Sequence, residues 1–259
     1  MRGTFPFFLF TNPKMVIKLA IKNIFNSIHK GLVVSCQALE GEPLNGSAVM
    51  GKMARAAEMG GAAAIRANGV QDILCIKSTV HLPIIGLIKQ EYDGSDVYIT
   101  PTKREVDLLL EADADMIALD ATRRQRPNNE QLKDLINQIK KGGALVMADI
   151  STLQEGLLAQ NLGADCVSTT LSGYTSYSRQ LKEPDFTLIR ELKEVLSIPV
   201  IAEGRISTPK EAKQALEAGA YSVVVGSAIT RPQDITKRFV QFIEKDVEKH
   251  ASYTESKTS

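Results

Sequence analysis

The sequence predicts an α/β protein built as a (β/α)8 barrel, the TIM-barrel class. Three observations carry this expectation. Eight short β-rich runs alternate with helical patterns from Leu32 onward. Most of the runs are continuously apolar rather than alternating, as parallel strands covered on both faces are. The helix-to-strand turns are short and stereotyped, whereas the strand-to-helix loops are longer and carry isolated polar residues.

The strands expected, in order, are Leu32–Cys36, Ala63–Arg66, Ile84–Ile88, Met116–Leu119, Leu145–Ala148, Cys166–Thr169, Val200–Ala202 and Ser222–Val225. Helix starts are marked by a Thr three residues ahead of a Glu, at Thr102/Glu105, Thr152/Glu155 and Thr208/Glu211. In such a box the hydroxyl and the carboxylate each accept a backbone N–H that the helix itself leaves open. Pro209 adds a first-turn residue with a preset φ. Helix ends repeat as well: Gly60-Gly61-Ala62, Gly163-Ala164 and Gly219-Ala220 each follow a helical pattern, and Asp113-Ala114 is a variant with Asp in the glycine slot. Glycine suits the left-handed residue that closes a helix before a tight return to the sheet. A doubly wound sheet would want a glycine fingerprint after its first strand, and Cys36-Gln37-Ala38-Leu39-Glu40-Gly41 is not one.

This places an N-terminal extension and lead-in helix at 1–30, the barrel at 31–245, and a charged, then Ser/Thr-rich, frayed tail at 246–259. Within the extension, Phe5-Pro6-Phe7-Phe8-Leu9-Phe10 follows Arg2 in the manner of a stunted signal segment. It is interrupted by proline and too short to span a bilayer, so Met1–Lys14 reads as a dispensable extension with Met15 as a second possible start.

Composition excludes several classes of function. Lys+Arg 31 against Asp+Glu 30 gives a net charge of +1, which offers no electrostatic footprint for nucleic acid. The absence of Trp and an aromatic content of 5% leave little to stack bases or long glycans on. Cys36, Cys75 and Cys166 are odd in number and sit in apolar stretches, which fits buried free thiols in a reducing compartment. His29, His81 and His250 are too scattered for a metal set, and His81 suits a helix end better than a titrating site. No metal and no cofactor is expected, and no stretch could cross a membrane.

Active sites of this fold lie at the C-terminal strand ends. Read in order, those ends are Gln37, Arg66, Lys89, Asp120, Asp149, Thr170, Glu203 and Gly226-Ser227. Lys89 and Glu203 end the third and seventh strands, so they face each other across the mouth. A lysine and a carboxylate after such apolar runs are costly for folding, which points to chemistry. Burial and the nearby Arg66 would lower the pKa of Lys89 towards that of a useful base. Glu203 suits acid–base work at the sugar end of a ligand, or an ion pair with Arg66 or Arg205. Gly204, Arg205, Gly226 and Ser227 fall in the loops after strands seven and eight. Bare N–H groups there build the phosphate sites of phosphate-binding barrels, although ordinary turn glycines would look the same. Asp149, Arg66 and Gln37 read as orienting groups for hydroxyls, and Asp120 either joins them or fixes Arg123 or Arg124. Arg231 either reaches over the mouth or is a solvated helix-start arginine.

The segments Ser35-Cys36-Gln37-Ala38-Leu39-Glu40-Gly41-Glu42-Pro43-Leu44, Ile65-Arg66-Ala67-Asn68-Gly69-Val70 and Pro83-Ile84-Ile85-Gly86-Leu87-Ile88-Lys89 resemble the N-acylmannosamine-6-phosphate 2-epimerase family. So do Leu119-Asp120-Ala121-Thr122, Met147-Ala148-Asp149-Ile150-Ser151-Thr152, Thr169-Thr170-Leu171-Ser172-Gly173-Tyr174-Thr175, Ala202-Glu203-Gly204 and Val225-Gly226-Ser227-Ala228-Ile229-Thr230-Arg231-Pro232. The likeness runs from about Gly31 to Phe242, with a motif at every strand end. Ser227 stands where some members carry a second glycine.

The resemblance implies an isomerase that converts N-acetylmannosamine 6-phosphate to N-acetylglucosamine 6-phosphate, in cytoplasmic sialic acid breakdown. It implies a homodimer, a phosphorylated amino sugar as partner, Lys89 and Glu203 as catalytic residues, and Gln37, Arg66, Asp149 and Arg231 as substrate contacts. C2 of the open-chain sugar lies α to an aldehyde, so its proton can be removed without cofactor or metal. Two other readings stay open: a different phosphate-binding barrel, such as a pentose-phosphate epimerase, and a sugar-phosphate sensor on an inactivated barrel. The metal-using pentose enzymes want His at strand ends, where none occurs. A sensor would tolerate loss of Lys89 and Glu203.

Overall fold

The structure, a computed structural model, describes residues 24–255. Eight parallel strands close a barrel in chain order: β1 Leu32–Cys36, β2 Ala64–Asn68, β3 Ile84–Leu87, β4 Met116–Asp120, β5 Leu145–Asp149, β6 Cys166–Ser168, β7 Val200–Ala202 and β8 Ser222–Val225. The helices that follow are α1 Ser47–Met59, α2 Val70–Lys77, α3 Lys103–Glu111, α4 Leu132–Lys141, α5 Leu153–Leu162, α6 Phe186–Val195 and α7 Pro209–Glu217. After β8 come a single turn, α8 Ser227–Thr230, and the long α9 Pro232–Glu255. That helix crosses the boundary drawn at 245 from composition and runs on through residues 246–255. The segment Met1–Lys14 lies outside the described residues.

Side chains alternate across each strand with the period of two that extended backbone imposes. Val33, Ala64, Ile85, Met116, Leu145, Cys166, Ile201 and Val224 point inward and fill the lower barrel. Val34, Ile65, Ile84, Ile117, Val146, Val167, Val200 and Val223 point outward and pack under the helices. Residues 24–28 are helical and close the bottom, where Ile28 is fully buried and Phe25 stacks edge-on with Tyr221. The inward positions one layer higher are Ser35, Arg66, Leu87, Ala118, Met147, Ser168, Glu203 and Gly226. The polar members of that layer are therefore set by strand phase alone.

The local devices expected from the sequence are present. Thr102/Glu105, Thr152/Glu155 and Thr208/Glu211 all form reciprocal capping boxes. Gly61, Gly163 and Gly219 hold positive φ at their helix ends, and Asp113 does the same at 54°. All three cysteines are free; Cys36 and Cys166 are buried, whereas Cys75 is only half-buried. Burial pushes the Cys36 thiol up to about 12 and raises that of Cys166, so neither is poised as a nucleophile.

Candidate active site

The C-terminal mouth of the barrel opens into a cavity of about 1170 Å³. Gln37, Arg66, Lys89, Glu203, Gly204, Arg205, Gly226, Ser227 and Arg231 all line it. Asp149 does not. It is fully buried beneath Arg66, which grips it with two bonds, Nη2–Oδ2 at 2.5 Å and Nη1–Oδ1 at 3.1 Å. Asp149 therefore bears on the cavity through Arg66 and through Thr170, whose hydroxyl lies 2.8 Å from its Oδ1.

Arg66 is itself deeper than its expected place at a strand end. β2 runs two residues further, to Asn68, so Arg66 sits inside the barrel at 1% exposure. Burial opposes its charge, but Asp149 and Glu203 more than offset this and hold its pKa above the usual arginine value. Nη1 also donates to Glu203 Oε2 at 2.6 Å. One guanidinium thus joins the carboxylates that end β5 and follow β7.

Lys89 follows β3 and is held by a loop that folds back on it. Its N–H donates to Asn68 Oδ1 at 2.8 Å, and residues 89 and 99 pair as an antiparallel bridge. Gln90 N to Tyr98 O and Thr100 N to Ile88 O flank that bridge. Burial lowers the pKa of Lys89, helped by Arg66 and Arg231 and opposed by Glu203 and Glu42. A lysine with a depressed pKa is a usable base nearer neutrality.

Glu203 lies across the barrel from Lys89, four strands away, with its side chain 15% exposed. Burial raises its pKa; Arg66 opposes this, Asp149 adds to it, and Thr170 and Lys89 oppose it. The two facing groups are thus shifted in opposite directions, one towards the free amine and the other towards the neutral acid. Their pKa values therefore move towards each other, and perturbed titratable groups facing one cleft are candidates for acid–base chemistry.

Beside Glu203, Gly204 adopts φ +106°, a conformation that favours glycine. A Cβ on Gly226 would lie 3.3 Å from that of Ser35. Among the described residues, no backbone or side-chain acceptor takes the N–H of Gly204, Arg205 or Gly226. Ser227 opens the one-turn helix α8, where first-turn N–H groups have no carbonyl behind them. These four N–H groups flank the same end of the cavity. The guanidinium of Arg205 does not join them. It donates to Ser172 O at 2.7 Å and to Glu183 O at 3.0 Å, which ties it to the loop after β6. Two of its guanidinium nitrogens, Nε and Nη1, are thus committed to backbone carbonyls of that loop. Arg231 is held over the mouth by Glu42, Nη2 to Oε1 at 2.7 Å. Asp120 is fully buried and pairs with Arg124 at 2.6 Å, so it fixes its own loop.

Three groups at the site were not singled out from the sequence. Asn68 positions the backbone of Lys89, Tyr98 lines the cavity, and Ser168-Thr169 grips Glu203. A signal existed for the last: consecutive hydroxyls after a buried strand must find partners.

Residues 50–245 match the family described as putative N-acetylmannosamine-6-phosphate epimerase. This chain belongs to that family. A Clostridium perfringens protein named putative N-acetylmannosamine-6-phosphate 2-epimerase is 63% identical over 212 residues, 82% of this chain and 96% of its own length. One of that name from Clostridioides difficile is 60% identical over 213 residues, with the same two coverages of 82% and 96%. The solved structure of the N-acetylmannosamine-6-phosphate 2-epimerase from Clostridium perfringens matches with a TM-score of 0.84 at 60% identity, over 85% of this chain and 96% of that one. A thiamine phosphate pyrophosphorylase from Pyrococcus furiosus, at TM-score 0.57 and 20% identity over 83% of this chain and 93% of its own, shares the barrel architecture alone. The epimerase family is the one whose motifs the strand ends resemble. Among the described residues no helix is long and apolar enough to cross a membrane.

Proposed function

We propose that this chain interconverts N-acetylmannosamine 6-phosphate and N-acetylglucosamine 6-phosphate by proton transfer at C2, in the cytoplasmic breakdown of sialic acid. The observation that carries the reading is the opposition of Lys89 and Glu203 across one cavity, with the open N–H groups of Gly204, Arg205, Gly226 and Ser227 at its edge. A phosphate seated on those groups directs the sugar inward. Arg231 and Gln37 then bound its outer end, and Arg66, backed by Asp149, bounds its inner face.

In the direction from the manno sugar, Glu203 serves ring opening by moving a proton between O5 and O1. The free amine of Lys89 removes the C2 proton, and the C2–H electron pair passes into the C1 carbonyl to give an enediol-type intermediate. Arg66 faces the negative charge that develops on it. Glu203 is the carboxyl that faces the cavity opposite Lys89, and it returns a proton to the other face of C2. The turnover leaves Lys89 protonated and Glu203 ionised, which is the state that runs the reverse reaction. No step calls for a metal or an organic cofactor.

The test is turnover of N-acetylmannosamine 6-phosphate in deuterated buffer, followed by proton NMR at C2. Wild type should exchange and convert the substrate, whereas Lys89→Ala should do neither at a measurable rate. Exchange by Lys89→Ala at near wild-type rate would overturn the assignment. Thermal stabilisation of the wild type by the sugar phosphate without conversion would favour a sensor.

The protein is proposed to act as a homodimer. Supporting this, Phe239, Phe242 and Ile243 lie three and four residues apart on α9 and are 69%, 71% and 61% exposed. Such a stripe on one helix is an interaction surface.

A further inference from the structure

The end of β6 holds Glu203 by backbone and side chain together. Thr169 Oγ1 accepts the N–H of Glu203 at 3.1 Å and donates to its carbonyl at 2.9 Å. Thr170 Oγ1 lies 3.0 Å from Glu203 Oε2, and Ser168 Oγ lies 3.4 Å from the same oxygen. Arg66 adds its bond to Oε2 as well. All the side-chain bonds therefore converge on Oε2, and Oε1 takes none from the described residues.

We infer that Ser168 and Thr170, at Oε2, and Thr169, at the backbone, form a hydroxyl clamp on Glu203 that leaves Oε1 as the oxygen that exchanges protons with the substrate. The inference rests on the epimerase reading above and adds positioning residues to it. Thr170 occupies the central place, because its hydroxyl also lies 2.8 Å from Asp149 Oδ1 and 2.8 Å from Ser168 Oγ. A hydroxyl has one proton, so Thr170 can donate to only one of the two carboxylates at a time. It turns to Glu203 when that group is ionised and back to Asp149 when Glu203 is neutral. The clamp thus fixes the geometry of Glu203 while following its change of charge. Backbone anchoring by Thr169 matters because a reacting carboxyl displaced by about 1 Å loses much of its rate.

Other charges also face Glu203: Arg66 from β2, Asp149 from β5 and Lys89 beyond β3. A pH readout must therefore compare variants that leave all three in place. Thr170→Val removes the hydroxyl at nearly constant shape, and Thr170→Ser keeps it. Thr170→Val should lower kcat for N-acetylmannosamine 6-phosphate by about tenfold or more with little change in KM. Thr170→Ser should restore most of it, and both should melt near wild type. In the free enzyme, carbon-13 NMR titration of Glu203 should show a higher midpoint in Thr170→Val, because an ionised carboxylate has lost a donor. Wild-type kcat in Thr170→Val, or an unmoved Glu203 midpoint, would overturn the clamp. A wild type that does not turn over the sugar phosphate would instead sink the epimerase reading, and the titration would still decide the clamp.

Discussion

At the scale of single residues, the barrel places groups where their ordinary ionisation is unfavourable. Lys89 is depressed from its usual 10.5 chiefly by burial, and Glu203 is raised from its usual 4.5 by the same cause. The proposed reaction from the manno sugar needs the amine neutral and the carboxyl protonated. Raising pH creates the first and destroys the second, so kcat/KM should be bell-shaped, with its limbs moved inward from those two ordinary values. In Glu203→Gln the residual activity should lose its alkaline fall, because only the Lys89 equilibrium is left. A Glu203→Gln profile with the same alkaline limb as wild type would remove Glu203 from the role of acid.

At the scale of elements, the capping boxes do more than start helices. Glu155 Oε2 accepts the N–H groups of Ser151 and Thr152 and the hydroxyl of Ser151, at 2.8, 3.0 and 2.8 Å. Its Oε1 takes Arg123 N at 3.0 Å and the Tyr177 hydroxyl at 2.7 Å. One buried carboxylate thus ties together the loops after β4, β5 and β6, with Arg123 stacked 3.7 Å over the Tyr177 ring. Glu155→Ala should cost about 3 kcal/mol or more, since several buried donors lose their acceptor at once. Urea unfolding measures this, and a change within about 0.5 kcal/mol, as for an ordinary surface substitution, would show that the loops are held by something else.

The elements also show what could be read from sequence and what could not. The Thr/Glu pairs and the positive-φ residue Asp113 are local features, decided within a few residues, and they were legible. The depth of Arg66 was not. Extension of β2 to Asn68 depends on pairing with β3, where Asn68 lies opposite Leu87. Lys89 and Glu203 were legible because a charge after an apolar run is conspicuous in any parallel strand. The contacts of the Arg205 side chain were not legible for the opposite reason. Its carbonyl acceptors, Ser172 and Glu183, lie 33 and 22 residues away in the chain and carry no sequence signal.

At the scale of the whole molecule, the exposed face of α9 is the feature a lone barrel does not explain. Phe242→Glu puts a charge in the middle of the stripe formed with Phe239 and Ile243. Sedimentation should find wild type as a dimer and Phe242→Glu as a monomer. A variant that stays dimeric would move the interface elsewhere, and a monomeric wild type would end the homodimer proposal.

The sequence by itself determined the eight-fold alternation, the capped helix starts and, to within two residues, the strand ends at which chemistry could sit. These follow from short-range periodicity, capping and the apolar cost of a misplaced charge. Only the tertiary structure decided which polar groups meet. It put Asp149 behind Arg66 rather than in the cavity, turned Arg205 away from the glycine loops, and set Ser168, Thr169 and Thr170 around Glu203. Those outcomes depend on strand register and closure of the barrel, which bring together residues that are remote in the chain.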